Sequence, residues 1–228
     1  MMKCALALSF ILLPGINLPA QSPGQKEEPA YNAESKSIVV PYGEGQQIVI
    51  DGMISEGEWE DALTFPISEA YDVCLKADSQ MLYVAVKSPT LVVIGVCEIR
   101  MTENEKDVYL LHVSGRLGEG LSGFPAGTRF EMGNIKHWDA NLSKEDETKI
   151  DAWVAAGRPI EKYGDVVEKV ESKEFKISRK MFSGNRLKLT IGLIEIAADG
   201  KKTYNYPENA GLENADNWVE LILPPSAN

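Results

Sequence analysis

The chain has 228 residues, 44% of them hydrophobic, which suits one large domain or two small ones with a real core and excludes disorder throughout. Thirty-four Asp and Glu against 23 Lys and Arg leave a formal charge of -11, so a phosphate backbone would be repelled and nucleic acid is excluded as a partner. Three cysteines without CxxC or Cys/His spacing exclude a disulfide scaffold and a zinc motif, and two histidines, His112 and His137, leave little for metal or proton-shuttle chemistry.

In chain order, Lys3, the apolar run Cys4 to Leu13, the Pro14-Gly15 break and Leu18-Pro19-Ala20 predict a secretory signal peptide over 1–20. The run is half the ~20 residues a membrane span needs, so no transmembrane anchor is expected after its removal. Cys4 precedes the apolar run, where a lipoprotein cysteine would follow it. Removal takes the formal charge from -11 to -12, because Lys3 is the only charged residue in the segment. Export to the periplasm, the cell surface or the medium would make Cys74 and Cys97 candidates for a disulfide, with two buried free thiols as the alternative. Residues 21–37, rich in Pro, Glu, Gln and Ser, read as a flexible spacer, and 38–228 as one domain.

Within that domain Ile38-Val39-Val40 and Ile48-Val49-Ile50 are β-branched runs bounded by turn residues. Tyr71 to Ala77 and Met81 to Lys87 flank a connection of hairpin length, Asp78-Ser79-Gln80. Leu91 to Arg100 and Val108 to Ser114 form a second pair. Val166 to Val170, Glu174 to Ile177, Leu187 to Ile196 and Val219 to Leu223 complete the strands. Ser55 as N-cap, with Trp59, Ala62 and Leu63 spaced three or four apart, predicts a short helix. Ser143 with Asp146 opens a second, in which Ile150, Trp153 and Val154 share a face before Gly157 and Pro159; the alternative for Ile150 to Ala155 is a strand. The pattern is all-β, an antiparallel β-sandwich with one or two short helices.

Ile50-Asp51-Gly52 followed by Glu56-Gly57-Glu58-Trp59 and Ala62 resembles the opening of carbohydrate-binding modules of family nine. Leu82-Tyr83-Val84-Ala85-Val86, then Glu174 to Ser178 with Met181-Phe182, and finally Trp218 to Pro224 are similar to later elements of that family, in the same order. The resemblance implies a jelly-roll sandwich of the kind shared with DOMON domains and non-catalytic binding of sugars. It also implies two stacking Trp rings, and the sequence departs there: neither Ser88 to Glu98 nor Pro207 to Asn217 contains an aromatic residue.

A sugar platform needs an exposed ring flanked by hydrogen-bonding groups. Arg129, Asn134, His137, Trp138, Asp139 and Asn141 offer that mixture, and Tyr204, Tyr206 and Trp218 are further candidates; for Trp138 the alternative is packing on the core end. Trp59 and Trp153 read as core, Trp218 as core or site rim. Asp139, Asn141 and Ser143 alternate like the first ligands of a structural calcium loop, although Lys144 and Ile150 occupy the EF-hand Gly and Glu positions. Asn141-Leu142-Ser143 is a glycosylation sequon in a eukaryotic host. Gly118, Gly120 and Gly123 match GxGxxG, but Phe124-Pro125-Ala126-Gly127 continues as loop rather than opening a helix, so flexible turns account for the glycines. Haem would require His112 or His137 with Met101 or Met132. No motif surrounds a carboxylate pair, so an enzyme is not expected. The sequence thus predicts an exported binding domain for carbohydrate or polysaccharide, using ring stacking and loop hydrogen bonds; the runner-up is a DOMON-like envelope protein binding haem or a protein partner.

Overall fold

The computed structural model describes residues 37–43, 48–122, 130–132, 136–142, 144–158, 169–197, 200–211 and 214–226. The expected signal peptide and nearly all of the spacer lie outside them. Among the described residues no helix is long and apolar enough to cross a membrane. The strands are β1 Ser37–Val39, β2 Leu63–Pro66, β3 Asp72–Ala77, β4 Met81–Val92, β5 Ile94–Thr102, β6 Val108–Val113, β7 Leu117–Ser122, β8 Phe130–Met132, β9 Trp138–Ala140, β10 Val170–Ser178, β11 Arg186–Ala197, β12 Gly200–Tyr206 and β13 Val219–Ile222. One helix, α1, spans Lys144–Ala155, and a 3₁₀ turn covers Arg179–Met181.

The strands form two sheets. The larger runs β1-β13-β11-β5-β6-β7-β8, with β12 also on β11, and the smaller runs β2-β3-β4-β10-β9. All pairs are antiparallel except β1 with β13. Alternation along each strand decides what lies between the sheets. The larger sheet contributes Cys97, Ile99 and Met101 of β5, Leu189, Ile191 and Leu193 of β11, and Leu111 and Val113 of β6; the smaller contributes Val73 and Leu75, Leu82 and Val84, Phe175 and Ile177. The expected two-sheet sandwich is what the chain forms.

Four departures from the predicted elements stand out, and the first two have evident local causes. Residues 48–50 are not a strand, because their backbone binds side chains instead: Val49 N–H donates to Glu58 Oε1 at 3.1 Å and Asp51 N–H to Glu174 Oε2 at 3.0 Å. The expected helix from Ser55 is a series of turns, because Gly57 adopts φ 84°, outside the helical region. Glu58 does return to Ser55 N–H at 3.3 Å, half of a capping box without its helix. Gly118 and Gly120 lie in β7, opposite His112 and Leu110, not in a turn. β4 continues to Val92, five residues past Lys87. The helix expected after Ser143 is present, and its acidic first turn, Glu145, Asp146 and Glu147, complements the positive end of the helix dipole.

The segment 48–62 crosses the outer face of the smaller sheet, where Ile48 and Trp59 pack on Cys74, Tyr83 and Ala85. Two buried charges fasten it. Lys76 of β3, 2% exposed, donates to Asp61 at 2.8 Å and to the Glu58 carbonyl. Glu174 of β10 is fully buried, and its Oε2 accepts the Asp51 and Gly52 N–H groups at 3.0 and 2.9 Å. The Gly52 carbonyl in turn accepts from Glu171 and Ser172. Gly52 has φ 88°, and a Cβ there would sit 2.5 Å from the Asn141 side-chain nitrogen. Only glycine fits.

Burial lifts the Glu174 carboxyl from 4.5 to about 7, against the pull of its two backbone donors. The folded protein therefore holds this proton more tightly than the unfolded chain. The contribution is fully present below about pH 4.5 and is lost as pH rises through about 7, a change of roughly 2–4 kcal/mol. Urea unfolding from pH 4.5 to 8 should show this loss in the parent protein, and Glu174→Gln, which keeps an acceptor without a titrating proton, should flatten it. Gly52→Ala should cost roughly 1–3 kcal/mol in the same assay, through backbone strain and the displaced Asn141 amide.

Candidate functional site

A cavity of about 680 Å³ lies between α1 and the outer face of the larger sheet. That volume falls in the range of small-ligand sites. Strand register builds its floor: Val96 of β5 pairs with Ile194 of β11, and Lys201 of β12 with Ile196 of β11, so these side chains share the outer face. α1 supplies Ile150, Asp151, Val154 and Ala155 as the wall, and the β6–β7 turn supplies Ser114, Gly115 and Arg116 at the rim. The lining is mainly aliphatic and contains no Phe, Tyr or Trp.

Polar contacts at both ends place the wall. Asn141, three residues before α1, donates to the Ser172 carbonyl at 3.0 Å and accepts from Glu174 N–H at 2.8 Å. Lys173 Nζ lies 3.5 Å from the Asn141 carbonyl. At the other end Arg116 binds Asp151, its Nε donating at 3.0 Å, and Ile150 is 4% exposed. Beside the floor, Glu98 Oε1 is 2.9 Å from His112 Nδ1 and Oε2 is 2.6 Å from Arg100. The hydrogen bond from His112, followed by the charge of Arg100, holds the Glu98 carboxyl below its ordinary value despite partial burial. Glu98 is thus a fixed anion suited to orienting His112, and it carries no proton to donate near neutral pH. A smaller cavity of about 280 Å³ lies over Thr64, Cys74 and Lys87, under residues 54–60.

Among the described residues, the platform predicted from the sequence lacks an exposed aromatic ring. Trp138 is 7% exposed, stacks on Phe175 at 5.8 Å and donates from Nε1 to Glu119 Oε2 at 3.1 Å, tying the edge of one sheet to the other. Its packing on the sandwich is the alternative reading of the sequence. His137 and Asp139 are exposed beside it, while Arg129 and Asn134 lie outside the described residues. Tyr206 is buried against Phe65, and Tyr204 sits edge-on to Tyr71 with its hydroxyl donating to Glu195 at 3.2 Å. Both face the core because they pair with the inward residues Ile191 and Leu193. Trp218 is 2% exposed and donates to the Gly211 carbonyl. Trp59 is core, as expected, whereas Trp153 is half-buried with Arg158 4.8 Å from its ring.

Three further readings of the sequence concern the cysteines, calcium and haem. Cys74 and Cys97 are free thiols on opposite faces of their sheets, one in the outer cluster and one between the sheets, so they do not pair; burial pushes the Cys97 thiol up to about 12. Of the calcium alternation, Asn141 commits its amide to β10 and Ser143 lies outside the described residues; among those described no group of three or more His, Cys, Asp or Glu could hold a metal. Met101 faces the core while His112 lines the outer-face cavity, so these two cannot form a haem axial pair; His137 is exposed, and nothing is described of the Met132 side chain.

Sequence reasoning missed the cavity residues Val96, Arg116, Ile194, Ile196 and Lys201. One signal was available: β11 is apolar on both parities toward its end, with Leu193 facing in and Ile194 and Ile196 facing out, as expected of a strand covered on both faces.

No family model matches the sequence, and no curated protein matches it. Among solved structures the chain is similar to a carbohydrate-binding module of family 9 from Caldicellulosiruptor kristjanssonii, in complex with cellotriose, at 15% identity and TM-score 0.48, over 84% of this chain and 95% of that one. It is also similar to a protein from Bacteroides uniformis described as carbohydrate-binding, at 10% identity and TM-score 0.46, over 83% and 99%. These are likenesses of fold, and the assignment of a β-sandwich rests on the two sheets themselves.

Proposed function

We propose that this chain is an exported, non-catalytic carbohydrate-binding domain whose ligand occupies the cavity between α1 and the larger sheet. The observation that carries the reading is the composition of that cavity. Its floor of Val96, Ile194 and Ile196 and its wall residue Val154 form an aliphatic surface against which the C–H face of a pyranose can pack, and Ser114, Arg116, Asp151, His112 and Lys201 around it offer donors and acceptors for hydroxyl groups. Aliphatic side chains take the part that stacked aromatic rings were expected to play. Glu98 supports binding rather than catalysis, because an anion locked between His112 and Arg100 cannot serve as the general acid of glycoside cleavage. Export rests on the pattern over 1–20.

Val154 is 67% exposed on α1, so Val154→Arg fills the cavity mouth without touching the core. Isothermal titration against a panel of soluble oligosaccharides should find a binder for the parent protein, and Val154→Arg should weaken that binder at least about tenfold with the thermal midpoint unchanged within about 2 °C. Equal binding by parent and variant, or no binder in the panel, would refute the site.

A further inference from the structure

The cavity's charge is opposite in sign to that of the protein. The chain carries -11, yet the charged side chains lining this cavity are Arg116, Lys201 and a single acid, Asp151. Asp151 is neutralised by Arg116 across the mouth. Glu98, which contacts the lining residue His112, is satisfied by His112 and Arg100. Lys201 is different: it is exposed, its register with Ile196 sets it over the aliphatic floor, and it enters no ion pair among the described residues. A cation with no ion-pair partner among the described residues, beside an apolar floor, favours a ligand that offers an anion on an otherwise C–H-faced body.

Resting on the carbohydrate reading of the same cavity, we infer that its ligand is an acidic sugar, a glycan containing hexuronic acid residues, with one carboxylate paired to Lys201 and the pyranose face on Val96, Ile194 and Ile196. The pairing explains how a strongly acidic protein can take an acidic polymer. Long-range repulsion from the surface is screened within about 8–10 Å at ordinary salt, while the contact inside the cavity is local. Arg116, held by Asp151, borders the same space and offers its remaining N–H groups to ring hydroxyls or to a neighbouring carboxylate.

The test uses the full chain and matched probes: oligomers of galacturonate, mannuronate and glucuronate, the same oligomers with their carboxyls reduced to hydroxymethyl groups, and dodecanoate as an alkyl carboxylate. Titration calorimetry should show at least one acidic oligomer binding about tenfold or more tightly than its reduced form, and raising salt from about 20 mM to about 0.5 M should narrow that ratio. Lys201→Gln, a change at an exposed position, should bring the ratio close to one. Reduced oligomers that bind as well as acidic ones, with Val154→Arg abolishing both, would overturn the acidic-sugar inference and leave the carbohydrate reading standing. An unchanged ratio in Lys201→Gln would overturn the assignment of the carboxylate to that lysine. Binding of dodecanoate with no binding of any oligomer would overturn both readings in favour of an amphipathic carboxylate ligand.

Discussion

The side-chain amide of Asn141 is the contact on which the arrangement of this protein turns. Its nitrogen donates to the Ser172 carbonyl and its oxygen accepts from Glu174 N–H, so it continues the pairing of β10 one residue beyond the end of β9. On one side of this clamp lies Gly52, whose conformation leaves no room for a side chain against the amide nitrogen. On the other, α1 begins three residues on and is carried across to Arg116 of the larger sheet. Asn141 thus sits where the segment held by Glu174 and the start of the helix held by Arg116 come together on β10. A polar group with both its donor and its acceptor satisfied by backbone gives directional fixing that apolar packing alone does not.

β10 concentrates unusual burial around this point. Lys173 and Glu174 are adjacent in sequence and both nearly or fully buried, yet pleating sends them to opposite faces of the sheet. Glu174 faces outward and is met by the Asp51 and Gly52 amides, while Lys173 faces the partner sheet and reaches the Asn141 carbonyl. Burial disfavours the charged form of each, raising the carboxyl and lowering the ammonium. Charge inside this domain is thus spent on holding its covering segments in place, and the surplus of acid belongs to the surface.

The sheets were legible because alternation survives in most strands: the hairpin at Asp78 to Gln80 and the pairs built on β5, β6 and β11 follow directly from where apolar residues fall. Short strands such as β8 and β9 were not legible, since three residues give no period and their pairing is set by neighbours distant in sequence. The Trp59 segment misled for a different reason, because three-to-four spacing is equally what a chain of turns over a sheet presents when Gly57 prevents the helix. The candidate site was largely illegible. Aromatic residues among turn-forming neighbours suggested exposure, but Trp138, Tyr206 and Trp218 each found both a packing surface and a local context that buries them. The cavity residues are ordinary Val, Ile, Lys and Arg whose meaning comes only from register and from the helix laid across them.

The central claim is that ligand enters between α1 and the outer face of the larger sheet. Methyl NMR of the protein titrated with its tightest-binding oligosaccharide tests this most directly. The account predicts shift changes concentrated on the methyls of Val96, Ile150, Val154, Ile194 and Ile196, with those of Val73, Leu75 and Leu82 between the sheets unmoved. Changes centred instead on the Thr64 and Lys87 side of the smaller sheet, with the α1 methyls unaffected, would contradict it.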